Sequence, residues 1–218
     1  MKTLAFNKSP LLVLGALVLN VVVSGPAAAQ KVARRVPMYR VTDLGTPQGK
    51  ATEPRVSDNK RRRIAALKVP NTITITVPNV NTGAMESVPA HPQVTDINDK
   101  GQAVGSLLYT PPSTGATPDR VAALLWQNGK PNLLTGLGHQ IEGASDINNR
   151  GQIVGYSQGS TEGLAWLWKD GKTYDLNHRI PAGSGWILRK ATAINERGQI
   201  VGTGTSRGKP RTFLLTPK

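Results

Sequence analysis

A nine-residue motif recurs three times in this chain and constrains its fold more than any other feature. The motif reads Ile-Asn-x-[Lys/Arg]-Gly-Gln-x-Val-Gly and occupies residues 97–105, 147–155 and 194–202. A degenerate copy precedes them at Asn59–Ala66, where Arg62 and Arg63 stand in place of the Gly-Gln pair. Spacings of 50 and 47 residues between successive copies are typical of repeat architectures, in which each unit packs on the next.

Each motif is followed by a second shared block. The block occupies residues 122–130, 164–172 and 211–215. Its first two copies contain Asn128-Gly129 and Asp170-Gly171, which are strong hairpin signals because the favoured two-residue turn needs positive φ at both positions. Asn-x-x-Gly within the motif suits a tight turn, since glycine adopts positive φ without penalty. One unit therefore reads as strand, turn, strand, loop, strand, turn, strand.

Four strands in 40 to 50 residues is the size of a propeller blade. The last copy stops after its third strand, and residues 39–45 resemble a fourth strand without a blade. We predict an all-β fold, a small β-propeller of about four four-stranded blades, whose last blade is closed by the N-terminal strand. The repeats fall near residues 51–93, 94–142, 143–190 and 191–218 plus 39–45. An open solenoid and a sandwich of the same strands are the alternatives.

The first 29 residues have the pattern of a secretory signal peptide. Lys2 and Lys8 precede an apolar run at 11–23, and small residues follow, so we expect cleavage after Ala29. The run is shorter than the about 20 residues of a membrane span, although an uncleaved anchor remains the alternative. We expect a basic linker at 30–38, a repeat domain at 39–218, no transmembrane segment after cleavage, and a secreted or periplasmic location.

The repeats resemble the HAF repeats of probable extracellular bacterial proteins. That family carries an Ile-Asn-x-x-Gly-Gln-[Ile/Val]-Val-Gly core, which matches the three motif copies, and a His-Ala-Phe-Leu-Trp block, which matches loosely. Leu164–Trp168 keeps the Ala and the final Leu-Trp, and Arg211–Leu215 keeps Phe-Leu. The naming His is in none of the copies. The resemblance covers residues 39–218 and implies export and a β-repeat architecture, but no activity and no catalytic residue.

The charge balance directs attention to anionic ligands. The chain has 27 Lys and Arg against 13 Asp and Glu, a formal net charge of +14, and no Cys, which excludes disulfides and thiolate-ligated metals. Lys100, Arg150 and Arg197 share one turn position, with Arg61 or Arg62 equivalent in the degenerate copy. In a closed propeller these turns share one face, so the cations would form an anion-attracting ring. The alternative is that they are solvated turn residues.

The run of cations at 60–63 is a second candidate. Its members are Lys60, Arg61, Arg62 and Arg63. Such a run predicts a polyanion patch, with a solvated turn as the alternative. Nucleic acid is not expected, because the protein carries an export signal and no aromatic residue accompanies the run.

Other residue types give weaker signals. Trp186 lies in a Gly-rich loop and is the best single candidate for a ligand contact, although a Trp often packs on its own scaffold. His91, His139 and His178 follow predicted fourth strands at unequal spacings, which argues against a three-histidine metal site. The Asp-Ile-Asn-x-x-Gly segments lack the acidic twelfth residue of a calcium loop. We therefore predict no metal, no cofactor and no catalytic residue.

We predict an exported, non-enzymatic binding or scaffold module of the bacterial envelope. Its expected partners are an anionic glycan, a lipid headgroup or another envelope protein. The alternative is an extracellular glycan-active enzyme with a site near Trp186 and His178 on the loop face. A third possibility is that the repeats act only within an oligomer, whose state the sequence leaves open.

Overall fold

The computed structural model describes residues 36–47, 58–113, 115, 119–134, 136–139, 141–158 and 163–218. The expected signal peptide at 1–29 and most of the expected linker at 30–38 lie outside the described residues. The strands in the first half are β1 (Tyr39–Asp43), β2 (Ile73–Pro78), β3 (Met85–Ile97), β4 (Ala103–Tyr109), β5 (Arg120–Gln127) and β6 (Lys130–Leu133). Those in the second half are β7 (Ile141–Ile147), β8 (Ile153–Gln158), β9 (Leu164–Lys169), β10 (Lys172–Asp175), β11 (Trp186–Ile194), β12 (Ile200–Ser206) and β13 (Lys209–Pro217).

The described chain is all-β in class, as the sequence predicts. A single α-helix, α1 (Asp58–Ala66), and a short 3-10 helix (Leu176–Arg179) accompany the strands in the described residues. One sheet has the order β1-β13-β12-β11, and the other has the order β10-β9-β8-β7-β5-β4-β3-β2, with β6 paired to β5. Strands β5 and β7 meet in parallel through one residue pair, Val121 with Ile141. On either side of that link, β3–β6 and β7–β10 form antiparallel groups of four strands.

The N-terminal strand completes the last group of strands. Strand β1 pairs antiparallel with β13 from Tyr39 opposite Pro217 to Asp43 opposite Phe213. The backbone N–H of Leu44 extends the pairing by donating to the carbonyl of Thr212 at 2.9 Å. The edge of β13 is therefore covered by a strand from the opposite end of the chain, as expected from the missing fourth strand.

The degenerate motif copy does not form the expected strand–turn–strand. It forms α1 instead, because Arg62 and Arg63 replace the Gly-Gln pair and leave no residue suited to positive φ. The following segment is a hairpin of β2 on β3, and the 13-residue β3 continues into the next group to pair with β4. In the described residues there are thus three four-stranded groups and one hairpin, rather than four equivalent blades.

The motif has glycine at two positions, and each position requires glycine for a different structural reason. Gly101, Gly151 and Gly198 have φ of 75°, 76° and 77°, which confirms the predicted tight turns. The last glycine of each copy is required for close packing instead. At Gly105, Gly155 and Gly202 a Cβ atom would overlap the backbone carbonyl of the residue twelve positions earlier.

Apolar side chains fill the space between successive groups of strands. One core cluster joins Leu167, Leu188 and Phe213, and another joins Val104, Ile153 and Trp166. Trp166 and Phe213 are fully buried at equivalent positions of β9 and β13. Packing between repeats therefore accounts for these periodic aromatic residues.

Candidate functional site

The three Asn-x-x-Gly turns are built in the same way. In the first, the Gly101 N–H donates to the carbonyl of Asn98 at 3.1 Å, and the Asn98 side-chain oxygen accepts from the N–H groups of Lys100 and Gln102 at 3.0 and 3.1 Å. The turns that begin at Asn148 and Asn195 repeat these bonds. The asparagine thus serves as the acceptor for its own turn, which explains its place in the motif.

The turns also bond to one another. Asn98 Nδ2 donates to the carbonyl of Asn148 at 3.2 Å, and Asn148 Nδ2 donates to the carbonyl of Asn195 at 3.1 Å. Asn98 and Asn148 are each 2% exposed, so the first bond is buried, while the second is partly buried because it ends at the exposed Asn195. We refer to residues 98–101, 148–151 and 195–198 together as the turn row.

The turn row presents three cations at equivalent positions. Lys100, Arg150 and Arg197 are all exposed, and the backbone N–H of each is bound to the asparagine of its own turn. No hydrogen bond or ion pair joins these three side chains to another residue in the described part of the chain. Their charges are therefore available to solvent and to a ligand.

The acidic residues of the turn row are engaged with their neighbours. Asp99 accepts from Arg63 at 2.7 Å and from Asn149 Nδ2 at 2.6 Å, and these hydrogen bonds, led by that of Asn149, lower the pKa of its carboxyl. Glu196 accepts the backbone N–H of Asn149 at 2.8 Å. Both acids thus link adjacent turns.

Two of the four cations at 60–63 are bound within the protein. Lys60 Nζ lies 2.9 Å from Asp96 and 3.4 Å from Asp146, and Arg63 donates to Asp99 and to the carbonyl of Asn98. Helix α1 therefore supplies the donor that a preceding asparagine turn would have given to Asn98. Lys60 and Arg63 are thus engaged with carboxylate and carbonyl oxygens of the protein, and their predicted place in a polyanion patch stays a prediction.

The other two members of the run at 60–63 are Arg61 and Arg62. Arg62 is exposed on α1, and the side chain of Arg61 lies outside the described part of the chain. The expected ring of four equivalent turn cations is accordingly a row of three, because the degenerate copy is a helix.

Next to the turn row lies a cluster of three ionisable groups, Asp96, Asp146 and Lys60, of which Asp96 is buried and the other two are partly buried. Asp96 and Asp146 each accept the backbone N–H of the next repeat, from Ile147 at 3.1 Å and Ile194 at 2.7 Å. Burial and the neighbouring Asp96 carboxyl raise the pKa of Asp146 to about 7. Burial alone would lower the pKa of Lys60, but its bonds to the two carboxyls outweigh this and the pKa is raised.

The third repeat lacks this acid. Ala193 stands at the position of Asp96 and Asp146, each of which bonds to a backbone N–H of the following repeat. Asp96 Oδ1 is buried without a hydrogen-bond partner and its side chain is 3% exposed. The two acids therefore join repeats and face inward.

Trp186, the predicted ligand contact, packs on the protein. Its ring meets Phe213 edge to face with centroids 6.3 Å apart, and it lies against the core cluster that contains Leu188. Trp186 is half-buried, and this contact agrees with the packing alternative given for it in the sequence analysis, while its predicted role as a ligand contact stays a prediction.

The histidines lie in separate environments. His91 Nδ1 is 3.3 Å from the Thr72 hydroxyl, and the exposed His178 is 3.7 Å from the Asp175 carboxylate. His139 donates its backbone N–H to Glu142 at 3.2 Å. Among the described residues no group of three or more His, Cys, Asp or Glu is placed to hold a metal ion.

An open cleft between two neighbouring hairpins was not predicted. It has a volume of about 520 Å³ and lies between the turns of β5–β6 and β9–β10. Its lining consists of Leu125, Gln127, Asn128, Lys130, Asn132, Leu133, Leu134, Trp168 and Gly171. The hairpin signals at Asn128-Gly129 and Asp170-Gly171 were visible in the sequence, but their juxtaposition depends on how the repeats pack.

No helix in the described residues has the length and apolarity required to cross a membrane. Comparison of the chain with protein-family models, with curated proteins and with solved structures finds no match. The resemblance to HAF repeats therefore stays a prediction from the motif.

Proposed function

We propose that this protein is a non-enzymatic binding module that holds an anionic glycan along the turn row. The observation that carries the proposal is the hydrogen bonding between successive turns, which keeps Lys100, Arg150 and Arg197 at equivalent exposed positions. The hydrogen bonds between successive turns place the three cations on neighbouring turns, so a polymer that follows the turn row meets all three charges.

The surroundings of the turn row favour a glycan over a lipid surface. The exposed large apolar residues in the described part of the chain are Met38, Leu44, Val80, Met85, Leu108, Leu133 and Ile187. None of them belongs to the turn row. A membrane-bound surface usually combines its cations with apolar side chains that enter the lipid, and the turn row has only the cations.

The proposal extends to location and architecture. We infer that residues 1–29 direct export and are cleaved after Ala29, which places the module in the periplasm or outside the cell. We also infer that the four-stranded groups are propeller blades of HAF type, with α1 and the β2–β3 hairpin in the place of a fourth blade. N-terminal sequencing of the exported protein should begin at Gln30, and an N-terminus still at Met1 would refute the cleavage.

Binding of dextran sulfate, with neutral dextran as the uncharged counterpart, tests the turn row. Isothermal titration at low and high salt should show salt-sensitive binding of the sulfated polymer alone. The variant Lys100→Ser/Arg150→Ser/Arg197→Ser should weaken it by at least tenfold, since several charge-assisted contacts are lost.

A matched control removes three exposed cations that lie elsewhere. Lys68→Ser/Lys172→Ser/Lys209→Ser changes the net charge equally and should leave most of the affinity. Equal losses in both variants would show that net charge alone drives binding and would refute the turn row. Binding to anionic phospholipid vesicles in preference to dextran sulfate would favour a membrane surface instead.

A further inference from the structure

We propose that the cleft between the β5–β6 and β9–β10 hairpins binds one pyranose ring of a uronate-containing glycan, stacked on the indole of Trp168. This site is separate from the turn row and does not depend on it. Its lining combines an aromatic ring, leucines, amide side chains and a single lysine. That mixture matches a sugar, which has apolar C–H faces and a rim of hydroxyl groups.

The walls of the cleft are held by two tight hairpins. Asn128 and Gly129 have φ of 53° and 72°, and Asp170 and Gly171 have 52° and 80°, so both turns have positive φ at both central residues. Such turns match the twist of the strands they join, so each is a short, well-defined connection. The cleft between them is consequently formed before any ligand arrives, which lowers the entropic cost of binding.

Trp168 differs from its counterparts in the other repeats. The equivalent residues are Trp126 in β5, which is 6% exposed, and Leu215 in β13, which is fully buried. Trp126 packs with Ile97 and Ala103 beneath residues of the α1 region. Trp168 packs only partly on its core cluster and is half-buried, so part of its ring surface lines the cleft.

The polar groups of the cleft include donors suited to hydroxyl and carboxylate oxygens. Gln127 uses its Oε1 to accept from Gln102 Nε2 at 2.9 Å, which leaves its own Nε2 as a donor. Asn132 is exposed and its Nδ2 has only long contacts of 3.4 Å to backbone carbonyls. These two amides can therefore bind sugar hydroxyls without breaking a strong internal bond.

Charge selects the class of sugar. Among the residues that the structure describes, the lining contains one cation, the exposed Lys130, and no carboxylate. The nearest acid of the hairpin turn, Asp170, is 3.8 Å from Lys169. A carboxylate on the ring would form a charge-assisted bond with Lys130, which is stronger than a bond between neutral groups. The cleft volume of about 520 Å³ lies within the range of small-molecule sites.

Galacturonate oligomers and glucose oligomers of equal length are the probes. Isothermal titration of the full chain should show binding of the galacturonate series, with weaker binding of the glucose series. Lys130→Met should weaken galacturonate binding by about tenfold and leave glucose binding unchanged, because only the carboxylate contact is lost. Trp168→Ala should abolish binding of both series.

Two further variants keep the test independent of folding and of the turn row. Asn132→Leu alters an exposed side chain at the rim and should weaken both series while circular dichroism stays unchanged. Lys100→Ser/Arg150→Ser/Arg197→Ser should keep its affinity for short galacturonate oligomers even where dextran sulfate binding is lost. Failure of galacturonate to bind, or binding unchanged in both Trp168→Ala and Asn132→Leu, would overturn the proposal.

Discussion

Asn98 donates its side-chain amide to the backbone carbonyl of Asn148 at 3.2 Å, fifty residues further along the chain. Asn148 makes the corresponding bond to Asn195 at 3.1 Å. One residue type thus completes its own turn through its oxygen and joins the next repeat through its nitrogen. The asparagines therefore set the spacing of the cations that we propose bind an anionic glycan.

The bond between turns can be tested at its buried member. Asn148→Asp replaces two donated hydrogen bonds, to Gln152 Oε1 at 2.8 Å and to the Asn195 carbonyl, with repulsion between oxygen atoms. We expect a loss of about 3 kcal/mol in the free energy of unfolding, measured with urea. Asn195→Asp is the control, because Asn195 is exposed and donates to Gln199 alone, so about 1 kcal/mol is expected. Equal losses would contradict a specific role for the inter-turn bond.

The cations of α1 offer a direct comparison of a bound and an exposed arginine. Arg63→Ser removes the bonds to Asp99 and to the Asn98 carbonyl and should destabilise the protein by roughly 1–3 kcal/mol. Arg62→Ser changes an exposed side chain on the same helix and should alter stability by less than about 0.5 kcal/mol. Thermal unfolding of the two variants under identical conditions distinguishes them. A larger loss in Arg62→Ser would refute the stabilising role of the bonds from Arg63 to Asp99 and to the Asn98 carbonyl.

Asp146 makes the stability of the protein depend on pH. The folded state raises the pKa of this carboxyl from 3.8 to about 7, chiefly through burial and secondly through Asp96. The folded protein therefore holds a proton that the unfolded chain releases. The stabilisation that this proton contributes is complete below about pH 4 and is lost as the pH rises towards 7. We expect Asp146→Asn to remove this contribution to the decline of the free energy of unfolding with rising pH. The asparagine side chain can still accept the backbone N–H of Ile194.

The measurement is urea unfolding of both proteins between pH 4 and pH 8. The wild-type free energy of unfolding should fall by a few kcal/mol relative to Asp146→Asn across this range. Asp170→Asn changes an exposed turn carboxyl and should run parallel to the wild type. A constant difference between wild type and Asp146→Asn would show that the folded and unfolded states hold this proton equally.

The last glycine of each motif is predicted to tolerate no side chain. A Cβ atom at Gly202 would overlap the backbone carbonyl of Lys190 and the ring of Phe213, which is fully buried in the core. Gly202→Ala should therefore destabilise the protein by about 2–4 kcal/mol. Gly115→Ala is the control, because nothing lies within 4 Å of its added Cβ, and it should be neutral within about 0.5 kcal/mol. A melting temperature of Gly202→Ala equal to that of the wild type would mean that the backbone around residue 202 shifts without loss of stability.

The all-β class, the tight turns of the three motif copies and the pairing of the N-terminal strand with the last group could be predicted from the sequence. The Asn-x-x-Gly and Asx-Gly signals act through local φ preferences, so Gly101 and Asn128 adopt the expected positive φ. The pairing of β1 with β13 was predicted because the last copy lacks a fourth strand, and the structure shows that pairing. Each of these features depends on residues close together in the chain or on a simple count of strands.

The contacts of the charged and aromatic residues could not be predicted from the sequence. Lys60 and Arg63 face Asp96 and Asp99, both 36 residues away, and no local pattern distinguishes them from the exposed Arg62. Trp168 lines a cleft while Trp126 is buried at the equivalent position, because different elements cover the two repeats. Burial depends on contacts between distant segments, whereas motif spacing reports only where the chain turns. A repeated sequence can therefore predict equivalent positions, but the neighbours of each position decide what its side chain does.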